Sequence, residues 1–129
     1  MKNKKVLLLA GVMAVYLSGC GISSAATLSE NMFVLSKNIS VLSGSTDKAE
    51  ILSALDQMDS AIDDSMLTLP EKVQSEYVNS VNDYKAHLEK MKAEIKSARE
   101  KANSGELNKI KDNVAEMHKL RIDGHNKFK

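Results

Sequence analysis

The feature that most constrains the fold is one long helical repeat of apolar residues in the second half of the chain. Apolar or small side chains recur there at alternating steps of four and three, and they are Tyr77, Val81, Tyr84, Leu88, Met91, Ile95, Ala98 and Ala102. Because positions three and four apart lie on the same side of an α-helix, the segment predicts an amphipathic helix of about seven turns. Such a helix needs other helices against which to pack its apolar face.

Three shorter segments have the same spacing and supply those partners. The first contains Leu28, Met32, Leu35, Ile39 and Leu42, the second Ile51 or Leu52, Leu55, Met58 and Ile62, and the last Leu107, Ile110, Val114, Met117, Arg121, Gly124 or His125, and Phe128. Short connections join the four segments, which makes successive helices antiparallel neighbours. The predicted fold class is therefore all-α, an antiparallel up-down-up-down four-helix bundle with a left-handed twist.

Capping and turn residues mark the predicted ends of the helices. Gly44 is predicted as the C-terminal cap of the first helix, and Asp47 with Glu50 marks the start of the second. The apolar pattern is lost near Met66, and residues 68–71 (TLPE) mark the start of the third helix. The turn 103–105 (NSG) ends the third helix, and the fourth begins at about Glu106. These residue types favour helix caps, first turns and left-handed turns.

Composition agrees with a helical domain and excludes some functions. Aromatic residues make up 4% of the chain, with no Trp and one Pro. Residues 1–25 contain three lysines and no acidic residue, which leaves 15 basic and 17 acidic side chains after them and a net charge of −2 with histidine neutral. This balance predicts no patch for a nucleic acid. Cys20 is the only cysteine, which excludes an internal disulfide.

The N-terminus has the order of a secretory signal peptide. Lys2, Lys4 and Lys5 precede an apolar run at residues 6–17, which is too short to be a transmembrane helix. We expect residues 1–25 to direct export and residues 26–129 to form a single folded domain in the periplasm.

Two cleavage sites are compatible with this segment. Residues 17–20 (LSGC) resemble a bacterial lipobox, in which Cys20 becomes the lipidated first residue and residues 21–25 a short tether. The alternative is ordinary signal-peptide cleavage immediately before Ala26. We favour the lipobox, which would anchor the domain at a membrane surface.

Met32 and His125 are the two residues whose placement suggests chemistry. Met32 lies about one turn after the start of the first helix, and His125 about one turn before the end of the fourth, each on an inward face. The first and fourth helices are adjacent and antiparallel in this topology, so the two side chains are expected at the same height and end. A thioether and an imidazole that converge across a flat ligand suit haem iron, because both are neutral, polarizable donors.

The two segments that carry these residues resemble the ligand segments of the cytochrome b562 family. They are residues 27–32 (TLSENM) and residues 121–128 (RIDGHNKF), and the resemblance extends over residues 26–129. It implies a periplasmic four-helix haem protein in which Met32 and His125 are the axial ligands.

The resemblance also implies roles for three further residues and the type of haem. By it, Arg121 lies near the haem periphery, and Tyr84 and Leu88 match positions where the family places large residues against the haem. No Cys-x-x-Cys-His motif is present, so that one haem b per chain, held without a covalent bond, is implied.

Two positions depart from the family pattern. Leu88 stands where a second aromatic residue is expected, and Gly124 replaces the bulky residue that is usual beside the histidine. Glycine in a helix interior costs about 1 kcal/mol relative to alanine. From both departures we expect a haem edge that is more exposed than is usual in the family.

The other methionines and histidines have simpler interpretations. The methionines predicted to fill the core are Met58, Met91 and Met117. Met117 and Phe128 are also expected to help enclose the haem. His87 and His118 lie one step off their apolar stripes and are expected in solvent, and His118 is about 10 Å along its helix from His125, too far for the two to share one zinc ion.

Two functions from different classes follow from these observations. The first is a non-enzymatic periplasmic electron carrier with haem and unidentified redox partners. The second is a haem-free periplasmic helical lipoprotein that binds a partner or buffers stress. Because the four apolar stripes are consumed within the bundle, we expect a monomer.

Overall fold

The computed structural model describes residues 26–74 and 78–128, and of residues 78 and 79 only the backbone. Five helices lie within these residues: α1 (Leu28–Gly44), α2 (Lys48–Met66), the one-turn α3 (Glu71–Gln74), α4 (Val78–Asn103) and α5 (Ile110–Phe128). A 3-10 turn at Leu107–Lys109 precedes α5. The predicted signal peptide with Cys20, and Tyr77 of the predicted third stripe, lie outside the described residues.

The helices pack in the order that a four-helix bundle requires. Helix α1 packs against α2 and α5, helix α2 packs against α4, and helix α4 packs against α5. The short α3 packs against α4. The prediction of an all-α, up-down-up-down four-helix bundle is thereby confirmed.

The core is built from the predicted apolar stripes. The side chains that are fully or almost fully buried include Ile39, Leu55, Met58, Ile62, Met91, Ile95, Ala98, Ala102, Ile110 and Met117. Met58, Met91 and Met117 are therefore core residues, as expected. No helix in the described part of the chain is both long enough and apolar enough to cross a membrane.

Helix α1 starts at a reciprocal pair of hydrogen bonds that the apolar spacing did not reveal. The Glu30 backbone N–H donates to Thr27 Oγ1 (3.1 Å), and the Thr27 backbone N–H donates to Glu30 Oε2 (3.2 Å). This capping box satisfies two backbone donors that a helix start leaves unpaired. It also fixes the register of the first turns, which carry Met32.

The predicted start of α2 is confirmed in part. The Glu50 backbone N–H donates to Asp47 Oδ2 (3.0 Å), which makes Asp47 the N-cap. The Asp47 backbone N–H donates to Ser45 Oγ (3.1 Å) instead of to the Glu50 side chain. One half of the predicted reciprocal cap is thus supplied by a residue upstream.

Two predicted helix ends are wrong in detail. Gly44 is the last residue of α1 and not its left-handed cap, because Ser45 follows in an extended conformation and donates its N–H to Val41 O (2.9 Å). The fourth helix begins at Ile110 rather than near Glu106, because a 3-10 turn occupies the intervening residues.

The turn after α4 follows the prediction. Gly105 has a φ of 78°, the left-handed conformation that glycine adopts without a steric penalty. The Glu106 N–H donates to Lys101 O (2.8 Å) and the Gly105 N–H to Ala102 O (3.1 Å), the two bonds of a Schellman motif. This turn reverses the chain from α4 into α5.

Three buried asparagines pair polar groups across the helix contacts. Asn31 Nδ2 donates to Asp64 Oδ2 (2.8 Å), Asn38 Nδ2 donates to Val34 O (2.9 Å) and Gln57 Oε1 (3.3 Å), and Asn113 Nδ2 donates to Glu94 Oε1 (2.9 Å). Because a buried amide without partners is costly, these pairs are what allows asparagine so close to the apolar stripes.

Tyr84 joins α4 to the end of α2. Its hydroxyl group is placed to donate a hydrogen bond to either of two carbonyl oxygens, Ser65 O at 2.9 Å and Thr68 O at 3.2 Å. The side chain is buried, and burial raises the pKa of Tyr84 to about 12. Since a raised pKa means that folding favours the neutral phenol, Tyr84 stabilises the fold below pH 10 and loses that contribution as the pH rises towards 12.

We predict that Tyr84→Phe lowers the free energy of unfolding by about 1 kcal/mol at neutral pH, because the ring stays and only the hydroxyl bond is lost. The wild-type protein should in addition lose about 2 to 3 kcal/mol between pH 10 and 12 that the variant does not lose. Urea unfolding of both proteins across this range measures the difference. Equal slopes with pH would contradict the assignment of the raised pKa to this buried hydroxyl.

Candidate haem-binding site

A cavity of about 600 Å³ opens at the end of the bundle where α1 begins and α5 ends. Every one of the five helices contributes to its wall, for example Leu28 of α1, Ile62 of α2, Glu71 of α3, Leu88 of α4 and Leu120 of α5. The volume is in the range of protein sites for small molecules and cofactors. Its wall is mainly apolar, with a few polar groups.

Met32 lies in this wall and differs from the core methionines. It is 37% exposed, whereas Met58 and Met117 are fully buried and Met91 is 4% exposed. A methionine that serves only to fill the core would be buried as these three are. The Met32 thioether is therefore available at the mouth of the cavity.

His125 lies in the same wall, on the last turns of α5, and its side chain is exposed. The antiparallel packing of α1 and α5 thus brings the two predicted ligands to one cavity from two helices. The fourth stripe left Gly124 and His125 as alternatives for the inward position. Both line the cavity, because it is wide enough to reach two adjacent positions of the helix.

Arg121 contributes a guanidinium group with one unpaired buried N–H to the cavity wall. Its Nε atom is buried and has no hydrogen-bond partner among the described residues. A buried donor of this kind is costly unless an acceptor reaches it, and an acceptor that carries negative charge would bind it most strongly. The cavity therefore suits a ligand that presents an anionic group to Arg121.

An aromatic cluster forms the side of the cavity between α4 and α5. The rings of Tyr84 and Phe128 meet edge to face with centroids 5.4 Å apart, and those of His87 and Phe128 are 5.7 Å apart. Leu88 is 6% exposed and lines the cavity beside Tyr84. These contacts supply the flat apolar walls against which a planar ligand can pack.

Two expectations about the site are corrected. Met117 does not enclose the cavity, because it is fully buried in the core one turn below Arg121 and is not among the cavity-lining residues. His87 is not in solvent, because it is half-buried, lines the cavity and contacts α5. His118 is exposed, as expected.

Sequence reasoning also missed Phe33. Its side chain is 69% exposed and lines the cavity next to Met32. The sequence offers one signal for it, a large apolar side chain next to Met32 at the start of a helix. Phe33 lies off the apolar stripe of α1, so the spacing alone does not assign it to the site.

The donor set of the cavity fits a haem. It combines a thioether, an imidazole, apolar walls and a buried cationic donor, which together match an iron atom, a macrocycle and anionic substituents. Among residues 26–74 and 78–128, no three His, Cys, Asp or Glu side chains are grouped as a metal site of another type would require.

The comparison with known proteins agrees with this geometry. The family model described as Cytochrome b562 matches residues 27–129. The chain belongs to the cytochrome b562 family. One relative, the probable soluble cytochrome b562 1 of Yersinia pestis, is 27% identical over 128 residues, which are 98% of this chain and 99% of that protein. Membership of the cytochrome b562 family, a family of haem-binding electron carriers that are not typically enzymes, indicates a b-type cytochrome.

The unpaired N–H of Arg121 predicts different effects of its removal on the stability of the haem-free protein and on hemin binding. In the haem-free protein, Arg121→Met should leave the free energy of unfolding unchanged or raise it, because no hydrogen bond to Nε is lost. Hemin binding should weaken on the order of tenfold, because a charge-assisted bond to an anionic group is removed. Urea unfolding and hemin titration measure the two effects.

Lys119→Met is the matched control, since Lys119 is exposed on the same helix and is not part of the cavity wall. It should change neither quantity. An Arg121→Met protein that binds hemin as tightly as the wild type would show that Arg121 has no role in binding.

Proposed function

We propose that this chain is a periplasmic b-type cytochrome that transfers single electrons through one non-covalent haem with Met32 and His125 as its axial ligands. The observation that carries the proposal is that both residues, from opposite ends of the sequence, line one cavity. The cavity is apolar enough to exclude water from a macrocycle and open enough at Met32 and His125 for electron exchange at its edge.

The ligand pair determines which chemistry is available. Met32 and His125 would hold the haem iron, and a haem iron held by two strong protein donors would supply one-electron transfer rather than substrate chemistry. A thioether opposite an imidazole raises the reduction potential relative to two histidines. The role is therefore that of a carrier and not of an enzyme.

Other side chains of the cavity would hold and shield the macrocycle. Arg121 would bind an anionic substituent through the Nε atom that has no protein partner. Tyr84, Leu88 and Phe128 would pack against the porphyrin and keep water from the iron. The exposed Phe33 lines the cavity next to Met32 and would add apolar surface for the macrocycle.

The periplasmic location rests on the sequence before the folded domain. Lys2, Lys4 and Lys5 followed by an apolar run support export, and the lipobox-like segment supports a lipid tether at Cys20. We propose unidentified periplasmic redox proteins as partners of a monomeric domain. A tether would keep the haem within reach of such partners at a membrane surface.

The ligand assignment predicts two distinct losses. Met32→Ala should leave a folded protein, because the side chain is already partly exposed, with a high-spin haem that is bound on the order of tenfold more weakly. His125→Ala should lose hemin more completely, because the imidazole is the stronger donor. Absorption spectra in both oxidation states and hemin titrations measure these changes.

His118→Ala is the matched control for the histidine, since His118 is exposed on the same helix and lies outside the cavity wall. Met58→Leu is the control for the methionine, because it keeps the volume of a core side chain. Both controls should retain the low-spin spectrum. Low-spin spectra in Met32→Ala and His125→Ala as well would exclude the two residues as ligands.

One experiment decides between the two functions. The full chain, expressed in haem-replete cells, is recovered from the periplasmic and membrane fractions, and its absorbance is recorded before and after addition of hemin. We expect a low-spin b-type spectrum with one haem per chain. A colourless protein that binds no added hemin would contradict the proposal and favour the haem-free helical lipoprotein.

A further inference from the structure

The His87 side chain of α4 lies directly against Gly124 of α5. A Cβ atom built on Gly124 would lie 2.9 Å from His87 Nε2 and 3.0 Å from His87 Cδ2, closer than real Cβ atoms come to their neighbours. Gly124 does not have a positive φ, so that the backbone of α5 would accept any residue other than proline here. A Cβ at this position would therefore displace the His87 ring, whereas the backbone conformation would not oppose it.

The His87 ring uses this space to reach the backbone of α5. Its Nε2 atom lies 2.6 Å from Leu120 O, and since a carbonyl oxygen can only accept, the histidine N–H is the donor. Leu120 O is also the carbonyl that the Gly124 N–H meets in an α-helix, four residues later. The bond thus attaches α4 to the turn of α5 that carries Arg121.

His87 also contacts the next turn of α5. Its ring lies 5.7 Å from the Phe128 ring, at an interplanar angle of 66°. One side chain of α4 therefore touches α5 at Leu120, at Gly124 and at Phe128, which is before and after His125. Tyr84, one turn earlier on α4, contacts Phe128 and turns its hydroxyl group to the end of α2.

We propose that His87 is the positioning residue for His125: it fixes the height and rotation of the end of α5 against α4, and thereby the approach of the imidazole to the cavity. The role of His125 as a ligand rests on the proposed function above. The attachment itself is made by protein atoms alone. Its loss should change the ligand geometry, which a residue that merely stabilises the bundle would not do.

Because the His87 ring takes the space that a side chain at position 124 would need, a double-mutant cycle of the two positions is the sharpest test. Gly124→Ala in the wild-type background should force the His87 ring away from Leu120 O, with weaker hemin binding, an increased high-spin fraction and a shifted midpoint potential. In the His87→Ala background the same substitution meets no ring, and it should be neutral or should stabilise α5. The effect of Gly124→Ala on hemin affinity should therefore differ by on the order of tenfold between the two backgrounds.

Two single variants complete the cycle. His87→Ala should give high-spin character and a shifted potential in the haem-loaded protein, and His87→Gln, whose amide can donate to Leu120 O, should restore part of the low-spin spectrum. His118→Ala serves as the control histidine on the solvent side of α5. In the haem-free protein, the amide resonances of residues 120–125 should shift in His87→Ala and not in the control.

The outcomes separate this inference from the proposed function. If the loaded His87→Ala protein has the wild-type spectrum and potential and only a lower free energy of unfolding, His87 is structural and the inference is wrong, while the proposed function stands. Additive effects in the double-mutant cycle would also overturn it. If the wild-type chain binds no hemin, the proposed function fails, and the positioning role fails with it even where the resonances shift.

Discussion

The structure depends on one constraint, the antiparallel contact of α1 with α5. Three short connections and four apolar stripes make these two helices neighbours in space, although α1 is the first helix of the domain in the sequence and α5 the last. The contact closes the bundle, and it brings the start of one helix beside the end of the other. Met32 and His125 line one cavity because of this pairing.

The two ends of the bundle are packed differently. Towards the turn at Gly105 the core is filled by Ile95, Ala98, Met58 and similar side chains, and it needs no ligand to be closed. At the other end, thioether, imidazole and guanidinium groups occupy stripe positions that apolar residues would otherwise take. Packing stability is given up there in exchange for a cavity, and at this same end Tyr84 bonds α4 to the last turn of α2.

The fold was predictable from the sequence because helical periodicity is a property of one segment at a time, and each stripe could be identified without its partners. The same is true of Met32, Arg121 and His125, whose heights along the helices follow from counting residues. What could not be predicted depends on two helices at once. Asn31 and Asn38 are buried where Asp64 and Gln57 meet them from α2, and His87 is half-buried where Gly124 makes room for it. Viewed along its own helix, each of these residues looks like a solvated side chain.

Gly124 illustrates how such a pair changes the meaning of a substitution. Taken alone, a glycine in this helix costs about 1 kcal/mol and removes the bulky side chain expected beside the ligand. In the structure the missing volume is supplied from across the interface by the His87 ring, which also gains a hydrogen bond to Leu120 O that a side chain on α5 would block. The expected opening beside His125 is thus filled from α4. The residues at 87 and 124 therefore share one space between α4 and α5, and a side chain placed at 124 displaces the ring at 87 from its hydrogen bond.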